Sequence, residues 1–222
     1  MDNKENFMLR KLMTAMALLV GLGLAGTSVA AEAGGDHARY AEGTHYKVLD
    51  TQGNVAAPGK VEVREFFSYI CPHCYALEPL VDDWLENKPD NVDYVRTPVT
   101  FLRNAEPLAR AYYVAEVLDM VGEVHQPIFD AIHKHREPLF TPTALADFFA
   151  KFGVDKDEFN QLYGSFGVST KLRQGDALAR DYEIRGVPSF VVNGKYLVLR
   201  EGLKSNAEMF DVIDYLVAKE SK

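Results

Sequence analysis

Apolar residues recur along this chain in two rhythms, and the rhythm changes where the architecture should change. Val61 to Phe67 begins in alternation and ends apolar, as a strand entering a core does, and Val92 to Val95 reads as a second short strand. Between them Leu77, Leu80, Val81, Trp84 and Leu85 repeat at helical spacing. That helix begins at Cys71-Pro72-His73-Cys74, with Pro72 in a first-turn position where its missing N–H is no loss. Pro79 is expected to kink it after its second turn.

From about Asn104 to Ile184 the pattern turns helical. Leu108, Ala111, Tyr112, Ala115 and Leu118 form one stripe, and Ile128, Phe129 and Ile132 begin another. Thr141-Pro142 opens a segment carrying Leu145, Phe148, Phe149 and Phe152, which Gly153 closes. Asp155 with Glu158 resembles a capping box before Phe159 and Leu162, and Leu172 to Tyr182 supplies the last helix of the block. These stripes read as core.

After the block come Pro188 to Val192, the turn Asn193-Gly194 and Tyr196 to Leu199, a strong hairpin signal, and then a final helix with Phe210, Ile213, Leu216 and Val217. Strand-helix-strand, helical block, hairpin-helix predicts an α/β core with an all-helical domain inserted in it. The core takes residues 31–103 and 184–222, and the insertion takes 104–183.

The first thirty residues carry a different pattern: Arg10 and Lys11, an apolar run from Thr14 to Gly26, then Ser28-Val29-Ala30 with small residues at both cleavage positions. This is the layout of a secretory signal peptide, residues 1–30, cleaved after Ala30. Asp2 and Glu5 are out of place in a positive leader, and Met8-Leu9-Arg10-Lys11 makes a better start than Met1. The apolar run is well short of the roughly 20 residues that cross a bilayer. With 47% hydrophobic residues the chain can bury a sizeable core without metal or disulfide staples. A net charge of −8 with scattered Lys and Arg leaves no basic face, which excludes nucleic acid as a partner.

Export to an oxidising compartment normally brings widely spaced structural disulfides, yet the only two cysteines, Cys71 and Cys74, are three residues apart. A bridge closing so short a loop restrains the unfolded chain little, so its purpose is chemical. Zinc is the competing use of Cys-x-x-Cys, with His133 and His135 as remaining ligands. On a helix those two histidines point about 200° apart, and both are expected on a solvated face. No metal is expected.

Glu65-Phe66-Phe67-Ser68-Tyr69 leading into Cys71-Pro72-His73-Cys74-Tyr75, and Arg185-Gly186-Val187-Pro188-Ser189-Phe190 running on to Tyr196, resemble the DsbA family of thiol:disulfide oxidoreductases. Tyr40-x-x-Gly43-x-x-Tyr46-x-x-Leu49 is similar to the family's mature start, so the likeness spans Tyr40 to Tyr215. A Cys-x-x-Cys at a helix start with a distant Val-Pro before a hairpin is similar to a thioredoxin fold.

The resemblance implies a thioredoxin-like fold with an inserted helical domain, and a protein disulfide oxidoreductase with no bound cofactor beyond its redox-active Cys71–Cys74 disulfide. Cys71, at the exposed end of its helix, has its thiolate stabilised by the helix dipole, by free amides and by His73, and a low pKa there is a property of the family. Cys74 is expected to be buried. Pro72 and His73 tune the pair, while Val187 and Pro188, joined by a cis bond, bind an extended client. Glu65, Glu78 and Arg96 supply buried charge beneath the site. Arg96 stands where the family pattern has lysine, and an arginine does not readily release its proton, so a proton-shuttling role at that position is in doubt.

Partners implied are unfolded exported proteins with free cysteines and a DsbB-like membrane reoxidase, with the chain a monomer in the periplasm. Two other readings stand beside this one. A disulfide isomerase or reductase would need an N-terminal dimerisation domain, for which the segment before Val61 leaves little room. A chaperone-like binding module would have no use for His73.

Overall fold

The computed structural model describes residues 39–50 and 59–221. The predicted signal peptide, residues 1–30, lies outside them. The elements run β1 (Tyr46–Val48), β2 (Val61–Phe67), α1 (Pro72–Asn87), β3 (Val92–Pro98), α2 (Ala105–Val117), α3 (Val121–His133), α4 (Pro142–Ala150), α5 (Lys156–Tyr163), α6 (Phe166–Asp181), β4 (Ser189–Val192), β5 (Tyr196–Val198) and α7 (Asn206–Glu220). The predicted order of strand-helix-strand, helices and hairpin-helix is the observed one.

One sheet carries the fold, in the order β1-β5-β4-β2-β3. The central strand β2 runs parallel to β3, as a right-handed crossover through α1 requires, and antiparallel to β4. Its alternation decides what faces what. Val61 and Val63 share a core with Leu77, Val81 and Trp84 of α1 and with Phe210, Val212 and Ile213 of α7. Phe66 turns to the other face, against Tyr182 and Ile184. Glu65 has the parity of Val61 and Val63, so a carboxylate occupies a position that the strand pattern reserves for an apolar side chain.

A third core joins the helical block to the cysteines: Phe67, Tyr69, Cys71 and Cys74 pack in one cluster with α2, α3, α4 and α5. The pair therefore sits where the sheet and the helices meet.

Several boundaries move from their predicted places. α6 begins at Phe166, six residues before Leu172, because Ser165 caps it through a 3.1 Å bond from Val168 N–H. α4 stops at Ala150 rather than at Gly153, which follows with a left-handed φ of +86°. α1 runs unbroken through Pro79, whose ring lies on the exposed face. β1 was not predicted as a strand: three residues are too few to show a period, and its register with β5 supplies what the sequence does not. The hairpin turn is as expected, with Asn193 and Gly194 both left-handed (φ 54° and 61°), as a primed turn demands.

Gly202, just after β5, makes a close approach that no other residue type allows. A β-carbon there would lie 1.9 Å from the Thr44 carbonyl oxygen. Gly202→Ala should destabilise the protein by about 1–3 kcal/mol in urea unfolding. Gly122, on α3 with nothing within 4 Å of its added β-carbon, is the control: Gly122→Ala should stabilise by about 0.5–1 kcal/mol.

Candidate active site

β2 hands the chain through Ser68, Tyr69 and Ile70 to Cys71, the N-cap of α1, with extended backbone (φ −86°, ψ 115°). The Cys71 Sγ accepts the Cys74 amide at 3.4 Å, taking the place of the Ser or Asp oxygen that usually caps a helix. Pro72 fills the first helical position, and Tyr75 N–H closes the first turn on the Cys71 carbonyl at 3.1 Å. The two cysteines are unbridged. Cys74 is fully buried. Cys71 is only 8% exposed, less open than a helix-end position suggests. The cover comes from Val187, whose carbonyl accepts the Cys71 S–H at 3.4 Å. The Val187–Pro188 bond is cis.

One helical turn thus separates two thiols with opposite acidities. The Cys74 thiol, and then the Cys74 and His73 amides, donate toward the Cys71 sulfur and bring its pKa from 9.0 down to about 6 against the opposing effect of burial. The His73 charge is the smallest of the named contributions, so His73 acts mainly through its amide at the helix start. Burial drives the Cys74 thiol far up, and its neighbour Cys71 adds to the effect.

The structure brings together the three charged residues Glu65, Glu78 and Arg96. Glu65 pairs in register with Arg96 across β2 and β3. Arg96 reaches Glu65 at 3.3 Å and Glu78, on the buried side of α1, at 3.1 Å. The Tyr94 hydroxyl, two residues before Arg96 and so on the same face, donates to Glu65. Burial raises the Glu78 carboxyl from 4.5 to about 7 despite Arg96, and raises Glu65 as well. Although burial opposes it, Tyr94, Glu65 and Glu78 hold Arg96 charged.

The sequence reading missed His125 and misplaced His133. His125 is buried in α3, with Nε2 3.3 Å from Glu78 Oε2 and Nδ1 2.8 Å from the Tyr69 hydroxyl. Burial and the nearby Arg96 lower its pKa to about 3, so it is a neutral ring. His133 was expected on a solvated face with His135. Instead it is half-buried, bonded through Nε2 to the Tyr69 carbonyl at 2.8 Å and stacked on the Tyr75 ring at 4.8 Å and 9°. Residues 125, 129 and 133 lie at i, i+4 and i+8, so both histidines flank Phe129 on the core face, and that spacing was the available signal. His135 is exposed, as expected.

Beside Pro188 opens a cleft of about 410 Å³ lined by Ile184, Arg185, Val187, Leu197 and Arg200 among others.

Comparison with known proteins matches residues 92–206 to the family described as DSBA-like thioredoxin domain. The thiol:disulfide interchange protein DsbA of Burkholderia cepacia is 40% identical over 212 residues, 94% of this chain and 96% of that protein. The protein of the same name from Pseudomonas aeruginosa is 39% identical over 181 residues, 82% of this chain and 86% of that one. The crystal structure of Pseudomonas aeruginosa DsbA matches with a TM-score of 0.77 at 38% identity, over 82% of this chain and 95% of that one. The oxidoreductase DsbA from Xylella fastidiosa matches with a TM-score of 0.76 at 31% identity, over 82% and 97%.

Two measurements check the electrostatics. Thiolate absorbance of the reduced protein should titrate with a midpoint of about 6, from Cys71 alone, while Cys74 stays protonated through pH 9. Arg96→Met strands two buried carboxylates and should destabilise by about 3–5 kcal/mol at pH 8. The loss should shrink at pH 5, where Glu78, raised to about 7 even with Arg96 present, is protonated in the folded state; an equal loss at both pH values would place the damage in packing instead.

Proposed function

This chain belongs to the DsbA family of thioredoxin-fold proteins, and on that premise we propose that it is a periplasmic thiol:disulfide oxidoreductase that donates its Cys71–Cys74 disulfide to newly exported proteins. The observation that carries the reading is the split between two thiols one turn apart, with Cys71 held near pKa 6 at the helix N-cap and Cys74 buried and held protonated.

The steps follow from that split. A client thiolate attacks the Cys71 sulfur of the bridge. The Cys71–Cys74 bond breaks, and the departing Cys74 sulfur takes up a proton in its buried site. The client is then joined to Cys71 by a mixed disulfide. A second client thiolate attacks the client's own sulfur in that bond, forming the client disulfide and expelling Cys71 as a thiolate. The client loses two electrons and two protons; the enzyme pair gains both electrons, Cys74 takes one proton and the other goes to solvent. Because Cys71 leaves as an anion already stabilised by three N–H or S–H donors, the second step runs forward.

Val187 and Pro188 present backbone to the client as an added strand would, and the cleft beside them extends that surface. Glu65, Glu78 and Arg96 form the charged support beneath the pair. The pair is returned to its disulfide by a DsbB-like membrane partner, and the chain acts as a monomer without metal or organic cofactor.

The test is equilibration of the purified protein with glutathione redox buffers. A reduction potential far more oxidising than thioredoxin's, about −270 mV, is expected; a value near or below that would make the protein a reductase.

The same chemistry fixes a stability signature. A folded pKa below the unfolded one contributes stability that is complete above the unfolded value, near 9, and is lost as pH falls through about 6. Only the reduced protein has a Cys71 thiol to titrate. Its stability relative to the oxidised protein should therefore climb between pH 6 and 9 and be flat below 6, by urea unfolding of the two forms in parallel.

A further inference from the structure

We infer that His125 and His133 are positioning residues of the redox pair, two points on α3 that clamp Tyr69 and so fix the Cys71 sulfur over the Cys74 amide. This inference rests on the reading above for its functional meaning, though its geometry stands by itself.

Tyr69 lies two residues before Cys71 in the short link from β2 to α1. It is held at both ends of the residue. Its hydroxyl meets His125 Nδ1 at 2.8 Å, and its carbonyl accepts from His133 Nε2 at 2.8 Å. Nδ1 and the Tyr69 hydroxyl share one hydrogen bond, while Nε2 lies 3.3 Å from Glu78 Oε2. The Nε2 contact is not aligned as a hydrogen bond, and that nitrogen is buried without a partner. The ring is therefore oriented by Tyr69 and by its packing against Phe67 and Phe129, at centroid distances of 5.2 Å.

His133 makes a second link, stacking on Tyr75, whose hydroxyl donates to Asp130 of α3 at 3.0 Å. Tyr75 follows Cys74 directly. The residues flanking the cysteine pair on both sides are thus tied to one helix. Inside this clamp, Cys71 N–H bonds the Ser68 carbonyl at 3.0 Å, closing the link into a turn that ends at the N-cap. A rotation of that turn would carry the Cys71 sulfur off the amide 3.4 Å away.

The charged and titratable groups around His125 are Glu78 from α1, Glu65 from β2, Arg96 from β3, Asp82 from α1, Tyr69 from the link and Tyr112 from α2. None of them supplies another bond to the Tyr69 hydroxyl, so His125 is its anchor among the described residues.

The test compares Tyr69→Phe, His125→Phe and His133→Phe with the conservative variants His125→Asn, which keeps an acceptor near the Nδ1 position, and His133→Gln, which keeps a donor near the Nε2 position. The readouts are the thiolate titration midpoint of Cys71 and the equilibrium with glutathione, measured beside the melting temperature. Each phenylalanine variant should lower the thiolate fraction at pH 6 roughly twofold and shift the equilibrium at pH 8 roughly threefold toward the protein disulfide, the consequence of about half a pKa unit. Tyr69→Phe and His125→Phe should not add when combined, because they break one bond. The Asn and Gln variants should return toward the parent.

A fall in melting temperature with the titration and equilibrium unmoved would overturn the clamp and leave both histidines as packing residues. Tyr69→Phe removes a single oxygen, so it keeps the test readable if a histidine variant fails to fold. A parent protein that equilibrates near thioredoxin would instead defeat the functional reading while leaving the differences among variants to judge the clamp.

Discussion

The contact between the Cys71 sulfur and the Cys74 amide is the constraint to which the rest of this structure answers. A helix needs its first amides satisfied, and here the group that does so is the sulfur proposed to react. Capping and acidity become one interaction: whatever holds α1 in register with the end of β2 also holds the thiolate. Pro72 contributes by having no N–H to satisfy, which leaves the Cys74 amide aimed at sulfur. Val187 approaches the same atom from the far end of the chain, so the sulfur is defined from three directions: its own helix, the link from β2, and the loop before β4.

Beneath that point the fold buries charge where a strand would ordinarily bury a valine. Glu65, Glu78 and Arg96 are two potential anions and one fixed cation, with Tyr94 and the neutral His125 around them. An isolated charge in such a place is intolerable, and one arginine cannot fully compensate two carboxylates. Glu78 is the group that gives way, with its pKa raised to about 7. Because arginine stays protonated, any proton movement in this layer falls to the carboxyl groups, and an oxygen of each, Glu65 Oε1 and Glu78 Oε1, is buried without a hydrogen-bond partner.

Most of this was legible in the sequence, and what was not has physical reasons. Alternation in Val61–Phe67 and helical spacing after Cys74 placed the pair correctly because burial on one face leaves a period that survives in a single chain. The Asn193-Gly194 turn was legible because only certain residues tolerate its dihedrals. Glu65, Glu78 and Arg96 came from family resemblance, since periodicity alone takes a charged residue for a surface one. His125 was missed and His133 misplaced for the same reason: their spacing about Phe129 was there to read, but a polar residue on an apolar stripe looks like an error in the stripe until its partner is known. That partner, Tyr69, lies 56 residues from His125 along the chain. The three-residue strand β1 is defined by pairing with β5 and not by its own pattern.

The asymmetry of the pair also sets the direction of exchange. A disulfide between two equivalent thiols would have no preferred leaving sulfur and no preference for being open. Here the two sulfurs differ in both access and acidity. Cys74 is buried and held protonated, so in the proposed exchange the mixed disulfide forms at Cys71. Once formed, that bond joins the client to the sulfur best able to depart as an anion, and departure is what client oxidation requires. Stabilising the thiolate more strongly would make the bridge a stronger oxidant but a weaker nucleophile when it must be re-formed, since nucleophilicity falls with basicity. A value near 6 keeps Cys71 ionised at neutral pH while leaving it basic enough to attack. The donors at the helix start, the Cys74 thiol with the Cys74 and His73 amides, are what bring it there against burial.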